Sequence, residues 1–309
     1  MDNELKVSVI IPTKNGGHYL TSLLSSLKEQ SIKPIQILVI DSSSEDSTIE
    51  ISRSFEVDIV QIDARSFDHG GTRNLAASMS VGNILVFLTQ DTLFKDAKCL
   101  ENLIKPLADS KIAASYGRHI SREDTNPIEK FVRYFNYPSA GMIKGIEDLP
   151  TLGIRTFFFS NVCSAVKKNI FEEVGRFPDK IIRNEDMFLA AKFMIKGYKI
   201  AYQPDAVVYH SHNYPISILF KRYFDIGVFF SRNRNIVELS KARKEGLRYL
   251  KEELRFLMES KQWSWLPIAL LDAIVRFVGY RIGLLEKCIP RWLKKKISYC
   301  TSFWERDVR

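Results

Sequence analysis

Short runs of consecutive apolar residues alternate with helix-like patterns over the first hundred positions of the chain. The runs that we predict as strands are 7–11, 35–40, 58–62 and 83–88. Between the first two, Leu20, Leu23, Leu24 and Leu27 recur with the spacing of one helix face. Continuous apolar runs are typical of strands that are buried on both faces. The pattern therefore predicts repeated strand–helix–strand units and an α/β fold with a mostly parallel central sheet.

Small polar residues stand where the helices between these strands should begin. We expect Ser47 or Thr48 to cap the helix after the second strand and Thr72 to cap the next helix. Ligands of such sheets bind beyond the C-terminal ends of the strands. The polar residues at those ends are therefore the first candidates for function.

Beyond residue 120 the pattern becomes irregular and then helical. Segment 120–155 carries glycines and prolines, which predicts loops and short helices that form a mobile lid. The elements predicted next are a strand at 156–165, a helix from Lys168, a helix ending near Lys196, and strands at 199–202 and 206–209. From Tyr214 the pattern is helical and richer in lysine and arginine. We therefore predict a sheet-containing domain at 1–230 and a basic, amphipathic helical region at 231–309.

The charge of the chain narrows the partners that its surface suits. The 309 residues include 45 lysines and arginines against 36 acidic residues, a formal net charge of +9. A basic surface suits nucleic acid, anionic lipid or a phosphorylated substrate, and charge alone does not choose among them. The four cysteines form no CxxC pair, which predicts free cytoplasmic thiols rather than a disulfide frame or a zinc site.

Two features bear on the cellular location. The polar first four residues precede an apolar run that is too short for a signal peptide. The most apolar later stretch, 265–285, is interrupted by one proline and three charged residues, so we do not expect it to span a membrane. Its mixture of aromatic, aliphatic and cationic residues indicates helices on an anionic membrane surface, or helices that pack on the rest of the protein or in a dimer. We predict a cytoplasmic protein, attached peripherally to the inner face of the cell membrane.

Three acidic residues come at predicted strand ends. Asp41 follows the second strand, Asp63 the third and Asp91 the fourth. An acid there can accept hydrogen bonds from a base or ribose, and Asp91 is also well placed for a divalent cation with oxygen ligands. The alternatives are turns at Asp41 and Asp63 and a helix cap at Asp91. Three acids at one edge of a sheet favour a binding site over three independent caps.

A glycine turn opens the predicted helix within 67–77. His69 and Gly70 precede Arg73 in this segment. Backbone N–H groups at a helix start attract anions, and Arg73 adds a fixed cation for phosphate. Glycine turns before helices are common, so the turn by itself is weak support for a phosphate site.

Two further pairs carry chemistry. Glu185 and Asp186 begin a predicted helix, where one of them acts as a general base or both merely favour the helix dipole. His210 and His212 stand at the end of the last predicted strand. Alternate residues of a strand share a face, so both imidazoles would point one way, towards a metal or towards solvent.

Together these motifs resemble the family 2 glycosyltransferases of the GT-A fold. The segment 7–15, with Asp41 and the serine-rich turn after it, is similar to the Rossmann-like nucleotide-binding half of that family. Thr89-Gln90-Asp91 stands in the place of the family's DxD metal motif, with threonine instead of the first acid. The resemblance covers residues 5–230 and implies that 1–230 is a GT-A catalytic domain, followed by a C-terminal helical extension.

The resemblance also assigns roles to single residues. Glu185-Asp186 resembles the family's ED motif, whose second acid usually serves as the base, and His210 matches a position at which some members bind metal. It implies inverting sugar transfer from a nucleoside-diphosphate donor with a divalent cation, Mg²⁺ or Mn²⁺, held by Asp91 with His210 or His212. The residues then expected to bind the nucleotide sugar are Pro12, Thr13, Asn15, Asp41, Asp63, His69, Gly70, Arg73 and Gln90.

A narrower resemblance is to bacterial rhamnosyltransferases that build O-antigen and other surface polysaccharides. It is carried by the runs at 67–76, 89–91 and 209–212. It implies dTDP-β-L-rhamnose as the donor, an α-L-rhamnoside as the product, and a saccharide or polyprenyl-diphosphate-linked saccharide as the acceptor. A UDP-sugar donor stays the alternative within the family.

Other classes of protein fit the sequence less well. A nucleotidyltransferase would have a glycine-rich basic loop after the first strand, which 12–17 matches poorly, and the GxGxxG of a dinucleotide oxidoreductase is absent. A non-catalytic carbohydrate- or nucleic-acid-binding protein would account for the charge but not for the acids at the strand ends. We therefore expect no nucleic-acid partner.

Overall fold

The computed structural model describes residues 5–236 and 245–306. Within them the chain forms a nine-stranded sheet in the order β3-β2-β1-β4-β8-β6-β9-β5, with β7 paired to β9. The strands are β1 (Val7–Thr13), β2 (Gln36–Asp41), β3 (Asp58–Gln61), β4 (Ile84–Leu88), β5 (Leu93–Phe94), β6 (Ile112–Ile120), β7 (Met142–Lys144), β8 (Cys163–Lys167) and β9 (Lys199–Tyr209). The sheet is covered on both faces, which explains why its strands are apolar without alternation.

The first half of the sheet is the parallel unit that the sequence predicts. β1 pairs in parallel with both β2 and β4, and β2 pairs in parallel with β3. The helices of this half are α1 (Gly17–Lys28), α2 (Thr48–Ser54) and α3 (His69–Met79). On α1, Leu20, Leu23, Leu24 and Leu27 are all fully buried, as their spacing predicts. The α/β fold class is confirmed.

The second half mixes strand directions, and three predicted strands there are wrong in extent. Segment Gly153–Phe157 is a 3₁₀ turn, so the strand predicted at 156–165 begins only at Cys163. The buried aromatic residues before Cys163 are apolar because they fill the core, and a short apolar run does not reveal its conformation. The strands predicted at 199–202 and 206–209 form one strand, β9, whose pairing with β6 is interrupted between Gln203 and Val207.

The predicted helix caps are also corrected. The cap of α3 is Asp68, whose carboxylate accepts hydrogen bonds from the N–H groups of Gly70 and Gly71. Thr72 lies inside the first turn, where its hydroxyl accepts from the N–H of Asp68. Ser47 precedes α2 without a side-chain capping bond, and the hydroxyl of Thr48 bonds Gly16 and Asp46 instead.

The segment that was predicted as a lid contains regular structure. Its elements are the end of β6, α5 (Pro127–Asn136), β7 and α6 (Leu149–Leu152). β7 pairs antiparallel with β9, which adds a strand that the sequence pattern did not predict. Movement of this segment as a lid stays a prediction. The remaining helices between strands are α4 (Cys99–Ile104), α7 (Lys168–Glu173) and α8 (Glu185–Ile195).

From residue 214 the described chain is helical, as predicted. The helices are α9 (Ile216–Arg232), α10 (Glu245–Glu259), α11 (Leu266–Leu284), α12 (Arg291–Ile297) and α13 (Thr301–Arg306). None of the helices in the described ranges is long and apolar enough to cross a bilayer. The predicted division of the chain at residue 230 stays a prediction, and that boundary falls inside α9.

Helices α9 and α11 pack with their backbones in contact. A Cβ on Gly227 would lie 2.2 Å from the carbonyl oxygen of Tyr280, and one on Gly283 would lie 2.1 Å from that of Phe224. Only glycine permits this distance between the two helices. The contact fixes α11 against α9 and so determines which face of α11 remains outside.

The last described segment returns to the sheet. Trp304 on α13 is buried in the same core as Phe224 of α9. The turn before α13 is held by the buried carboxylate of Asp225, which accepts hydrogen bonds from the Ser298 hydroxyl (2.6 Å) and the Cys300 N–H (2.9 Å). At its far end, Arg306 forms an ion pair with Asp68, the cap of α3.

Candidate active site

A carboxylate and two imidazoles converge beyond the C-terminal end of β4. The Nε2 atoms of His210 and His212 lie 3.3 Å and 3.0 Å from Oδ2 of Asp91, and 3.1 Å from each other. β9 ends at Tyr209, so the histidines converge from a non-strand segment rather than from the extended strand that we expected. The sequence placed all three residues near one site, and the structure brings them into direct contact.

The chemistry of this cluster suits a divalent cation. Asp91 and His210 are buried, and the ligand atoms of the three side chains lie within 4.8 Å of one another. Burial lowers the pKa of His210 to about 4, so its ring is neutral at physiological pH and able to coordinate. Although burial alone would raise it, the two histidines hold the pKa of Asp91 well below its usual range. Two imidazoles and one carboxylate are a donor set that fits a metal.

A second group of charges lies at the start of α8. Glu185 is buried and pairs with Arg73 of α3 at 3.3 Å, and it also accepts a hydrogen bond from Asn161 at 3.2 Å. Burial would raise the pKa of Glu185, but Arg73 and His69 hold it below its ordinary value. Glu185 is therefore a carboxylate whose Oε1 is already engaged by Arg73 and Asn161.

The pKa of Asp186, the next residue, is shifted in the opposite direction. Burial and the negative charge of Glu185 raise the pKa of Asp186 to about 7. One of its oxygens accepts from the N–H of Met187 at 2.8 Å. A carboxyl group with a pKa near the operating pH is suited to take a proton in a reaction and release it afterwards. Of these adjacent acids with opposite shifts, Asp186 is the one that can hold a proton near neutral pH, and its predicted role as the base stays a prediction.

One short segment connects the two charge clusters. The carbonyl of Val162 accepts from the N–H of Thr89 (3.3 Å) and from the hydroxyl of Thr92 (3.0 Å), on either side of Asp91. Its neighbour Asn161 donates to Glu185. This follows from β8 pairing antiparallel with β4, which places the residues before Cys163 beside the residues after Leu88. The Asp91–His210–His212 cluster and the first turn of α8 are thus linked through residues 161 and 162.

The glycine turn at α3 makes contacts inside the protein, and its predicted role in binding phosphate stays a prediction. Asp68 accepts the hydrogen bonds of the N–H groups of Gly70 and Gly71, so these amides are engaged inside the protein. A Cβ on Gly70 would lie 2.4 Å from the carbonyl oxygen of Pro178, so glycine allows α3 to approach that segment. Arg73 points to Glu185 and to the carbonyl of His69 (2.8 Å). In this structure the turn positions α3 against the start of α8.

The loops after β1 and β2 lie beside the cation site. The side chain of Gln90 accepts from the N–H of Lys14 (2.8 Å), and that of Asn15 accepts from the N–H of Glu45 (2.9 Å). Asp41 is buried and accepts from Thr13 and from the N–H of Ser44, which is the turn alternative weighed from the sequence. These bonds join the ends of β1, β2 and β4 into one edge. Pro12 is the penultimate residue of β1 at the same edge.

Asp63 lies at the margin of this edge. It is exposed, caps a 3₁₀ turn through the N–H of Arg65 (2.7 Å), and forms an ion pair with the Arg65 side chain. Those bonds lower the pKa of Asp63. Its predicted role in binding the nucleotide stays a prediction, as do the roles of the other residues of the edge.

Sequence reasoning missed two residues of the site. Asn161 holds Glu185, and Arg122 donates to the carbonyl of Asp91 while its guanidinium lies over the ring of Tyr19 at 4.9 Å. Both come from segments between elements, far from their partners along the chain. No spacing or motif links such residues before the fold is known.

Comparisons with known proteins agree with this arrangement. The family model "Glycosyl transferase family 2" matches residues 8–175, more than half of the chain. The chain is 39% identical over 303 residues to the O-antigen chain rhamnosyltransferase RfbN of Salmonella typhimurium, covering 97% of this chain and 96% of that protein. It is also 39% identical to the O-antigen chain rhamnosyltransferase WbaN of Salmonella anatum, over 96% of this chain and 95% of that one.

Solved structures share the fold. The mannosyltransferase PcManGT of Pyrobaculum calidifontis, in complex with GDP-Man and Mn²⁺, superimposes with a TM-score of 0.61 at 18% identity, covering 90% of this chain and 88% of that one. Residues 1–349 of S. aureus TarS, in complex with UDP-GlcNAc, give a TM-score of 0.54 at 14% identity and cover 92% of each chain. At these identities the likeness supports the architecture and not the substrates.

Proposed function

The chain belongs to glycosyl transferase family 2, and we propose that it transfers L-rhamnose from dTDP-β-L-rhamnose to a saccharide acceptor with inversion at the anomeric carbon. The observation that carries the reaction is a carboxyl group with a pKa of about 7, Asp186, in one site with the Asp91–His210–His212 cluster. The observation that favours rhamnose is 39% identity over nearly the full chain to two proteins named as rhamnosyltransferases.

The proposed reaction needs one base. The carboxylate of Asp186 takes the proton of an acceptor hydroxyl as that oxygen forms a bond to the anomeric carbon. The bond between the anomeric carbon and the diphosphate breaks on the opposite face, and the nucleoside diphosphate leaves with the bonding electron pair. One displacement inverts the anomeric centre, so a β-linked donor yields an α-rhamnoside.

Asp91, His210 and His212 are proposed as the ligands of a divalent cation. When bound, such an ion offsets the charge that develops on the leaving diphosphate. Two imidazoles beside one carboxylate favour Mn²⁺ over Mg²⁺, which prefers an all-oxygen shell. The buried pair of Arg73 and Glu185 holds the first turn of α8, and therefore Asp186, in place.

The donor is tested by competition. Among dTDP-rhamnose, UDP-glucose, UDP-N-acetylglucosamine and GDP-mannose, we expect dTDP-rhamnose to displace a fluorescent dTDP probe at the lowest concentration, by about tenfold. The measurement is an equilibrium titration at fixed Mn²⁺, with unlabelled dTDP as the reference. A clear preference for a UDP-hexose would overturn the rhamnosyl assignment and leave the family assignment intact.

We also propose that helix α11 docks on an anionic membrane surface, where a polyprenyl-diphosphate-linked acceptor would lie. The buried face of α11 is small or charged and the outer face is apolar, the reverse of a helix packed on a core. Its buried residues are Ala269, Asp272, Arg276, Gly279 and Gly283. Its large exposed residues are Ile268, Leu270, Leu271, Ile274, Phe277 and Val278, and those at 274 and 277 are 59% and 64% exposed.

Charge supports a bilayer as the partner of this face. The charged residues of the buried face are paired with each other, since Arg276 bonds Asp272 at 3.3 Å. The exposed cations Arg281 and Lys287 stand near the C-terminal end of the helix, and exposed Trp263 and Trp292 flank it along the chain. An apolar face bordered by tryptophan and cations suits the boundary between lipid headgroups and acyl chains.

Sedimentation with liposomes tests the membrane proposal. The double change Ile274→Gln and Phe277→Gln removes about 3 kcal/mol of apolar contact, so we expect binding to anionic vesicles to fall about 100-fold. Val81→Gln, at a position 68% exposed elsewhere on the protein, is the matched control and should bind as the unchanged protein does. Point changes are preferable to truncation because α11 packs tightly on α9.

The following outcome would contradict the membrane proposal. If the unchanged protein stays in solution with vesicles, and the double variant alters only the sedimentation coefficient, the face joins two copies of the chain. Salt provides a further check, since each basic residue near an anionic leaflet contributes about 1 kcal/mol that fades as ionic strength rises.

A further inference from the structure

Two arginines beside the proposed base have no acidic partner. Arg183 comes three residues before Asp186, and Arg222 lies in α9. Within residues 5–236 and 245–306 neither forms an ion pair, and Nε of Arg183 is enclosed with no hydrogen-bond partner. Both residues are half-buried. Charges that are removed from water are ordinarily paired, so two guanidinium groups side by side without an ion pair require an explanation.

Aromatic rings hold the two guanidinium groups. The guanidinium of Arg222 lies over the ring of Tyr214, with its central carbon 4.2 Å from the ring centroid. The guanidinium carbons of Arg183 and Arg222 each lie 5.7 Å from the centroid of Tyr299. Burial and the nearby charge of Arg183 lower the pKa of Arg222, as expected for two close cations. Ring contacts fix a guanidinium group while leaving its N–H groups free to bind.

The acids nearest to this arginine pair are already engaged. Asp225 accepts hydrogen bonds from Ser298, Tyr299 and Cys300, and so holds the turn before α13. Glu185 is bound to Arg73 and Asn161. Neither acid forms an ion pair with Arg183 or Arg222 within the described residues. Although burial alone would lower it, the pKa of Arg183 is raised by Cys300, Asp225 and other nearby groups, so its charge is only partly offset and from a distance.

A cavity lies beside Tyr299, the residue whose ring both arginines contact. A cavity of about 240 Å³ is lined by Tyr299 and Cys300 together with His69, Ile182 and Arg306. Tyr299 is 45% exposed, so the ring shared by the two arginines is reached from solvent. A ligand in this cavity would lie beside the Tyr299 ring that both guanidinium groups contact.

We propose that Arg183 and Arg222 bind a diphosphate group of a substrate next to Asp186. A guanidinium group presents two parallel N–H donors to phosphate oxygens, so two of them suit two linked phosphates. This proposal rests on the proposed function for the identity of the ligand. The diphosphate is either that of the nucleotide donor or that which joins a lipid carrier to the acceptor saccharide.

Binding of inorganic pyrophosphate tests the site without catalysis. The measurement is calorimetry in excess chelator, so that no metal ion at the Asp91–His210–His212 cluster contributes to pyrophosphate binding. We expect Arg183→Gln and Arg222→Gln each to weaken pyrophosphate binding at least tenfold. Arg222→Lys should keep part of the affinity because it keeps the charge. Lys221→Gln, which removes an equal charge from the same helix, is the control and should bind normally. Equal affinity in all these variants, with unchanged melting temperatures, would overturn the proposal even if transferase activity is never detected.

Kinetics then identify the source of the diphosphate. One arm compares the same acceptor saccharide as a neutral alkyl glycoside and as a lipid-diphosphate derivative, and the other titrates the nucleotide sugar. A rise in KM of tenfold or more for the diphosphate-linked acceptor alone assigns the site to the acceptor. The same rise for the nucleotide sugar, with both acceptors unaffected, assigns it to the donor. If KM changes in neither arm, the arginine pair does not bind a substrate diphosphate.

Discussion

Asp186→Asn should reduce kcat by about 10²–10⁴-fold, the range that a positioned general base contributes, while dTDP-rhamnose still binds. The amide keeps the size and position of the side chain but takes no proton. In the unchanged enzyme kcat should fall about tenfold per pH unit below pH 7 and level off above it, because the proposed base acts only when deprotonated and its pKa is about 7. The pH profile of kcat and a donor titration are the two measurements.

Stability gives an independent check on the same substitution. The pKa of Asp186 is raised from its ordinary value of 3.8, so the folded protein disfavours the charged form. Its contribution to the free energy of unfolding is therefore lost as pH rises from about 4 to about 7. Asp186→Asn should remove that loss and leave the melting temperature at pH 8 unchanged or higher. If Asp186→Asn instead lost activity because it unfolds, its melting temperature at pH 8 would be lower than that of the unchanged protein.

Glu185→Gln is the matched comparison. Removing this charge should move the low-pH limb of kcat to lower pH, because Glu185 helps to raise the pKa of Asp186. It also leaves Arg73 buried without its partner, which costs about 3–5 kcal/mol of stability. If Glu185→Gln abolishes turnover in folded protein and Asp186→Asn does not, the two acids have the opposite roles.

Removal of divalent cations should abolish transfer, and Asp91→Ala should lower kcat at least about 100-fold at saturating donor, since a metal supplies several kcal/mol of charge stabilisation. Activity should return with Mn²⁺ at lower concentrations than with Mg²⁺. Full activity in excess chelator would remove the metal from the mechanism.

Metal binding can be measured apart from turnover. Mn²⁺ at 100 times its Kd should add about 2.7 kcal/mol to the free energy of unfolding of the unchanged protein. Asp91→Ala and His212→Ala should lose most of this gain. Asp63→Ala removes an exposed acid that lies outside the cluster and should keep it. An equal gain in every variant would place the ion elsewhere.

The parts of the fold that sequence predicts best are those in which one physical requirement dominates. The central residues of strands β1, β2 and β4 are buried on both faces, so they are mostly apolar and the run itself reveals the strand. The region before Cys163 shows the limit. Phe157 and Phe159 are as buried as any strand residue, but they fill the core from a 3₁₀ turn and a loop.

The residues of the candidate site also divide into those that the sequence reveals and those that it does not. Asp91, Asp186 and the two histidines were found because acids and imidazoles at element ends are chemically conspicuous. The opposite pKa shifts of Glu185 and Asp186 depend on Arg73, 112 positions earlier, and on burial, neither of which sequence spacing encodes. Arg222 was missed for a similar reason, since an arginine in an amphipathic helix looks like a solvated charge until its partners are known.

The return of α13 to the sheet has a consequence for how the protein matures. Trp304 fills the core beside Phe224, and Arg306 pairs with the residue that caps α3, yet these residues follow the sheet by about a hundred positions. During synthesis the sheet emerges from the ribosome first and can fold while this segment is still inside the tunnel. One wall of the cavity beside His69 is then missing. The nascent chain should hold a folded sheet with this cavity still open, and the cavity gains its last wall only when the distal helices arrive.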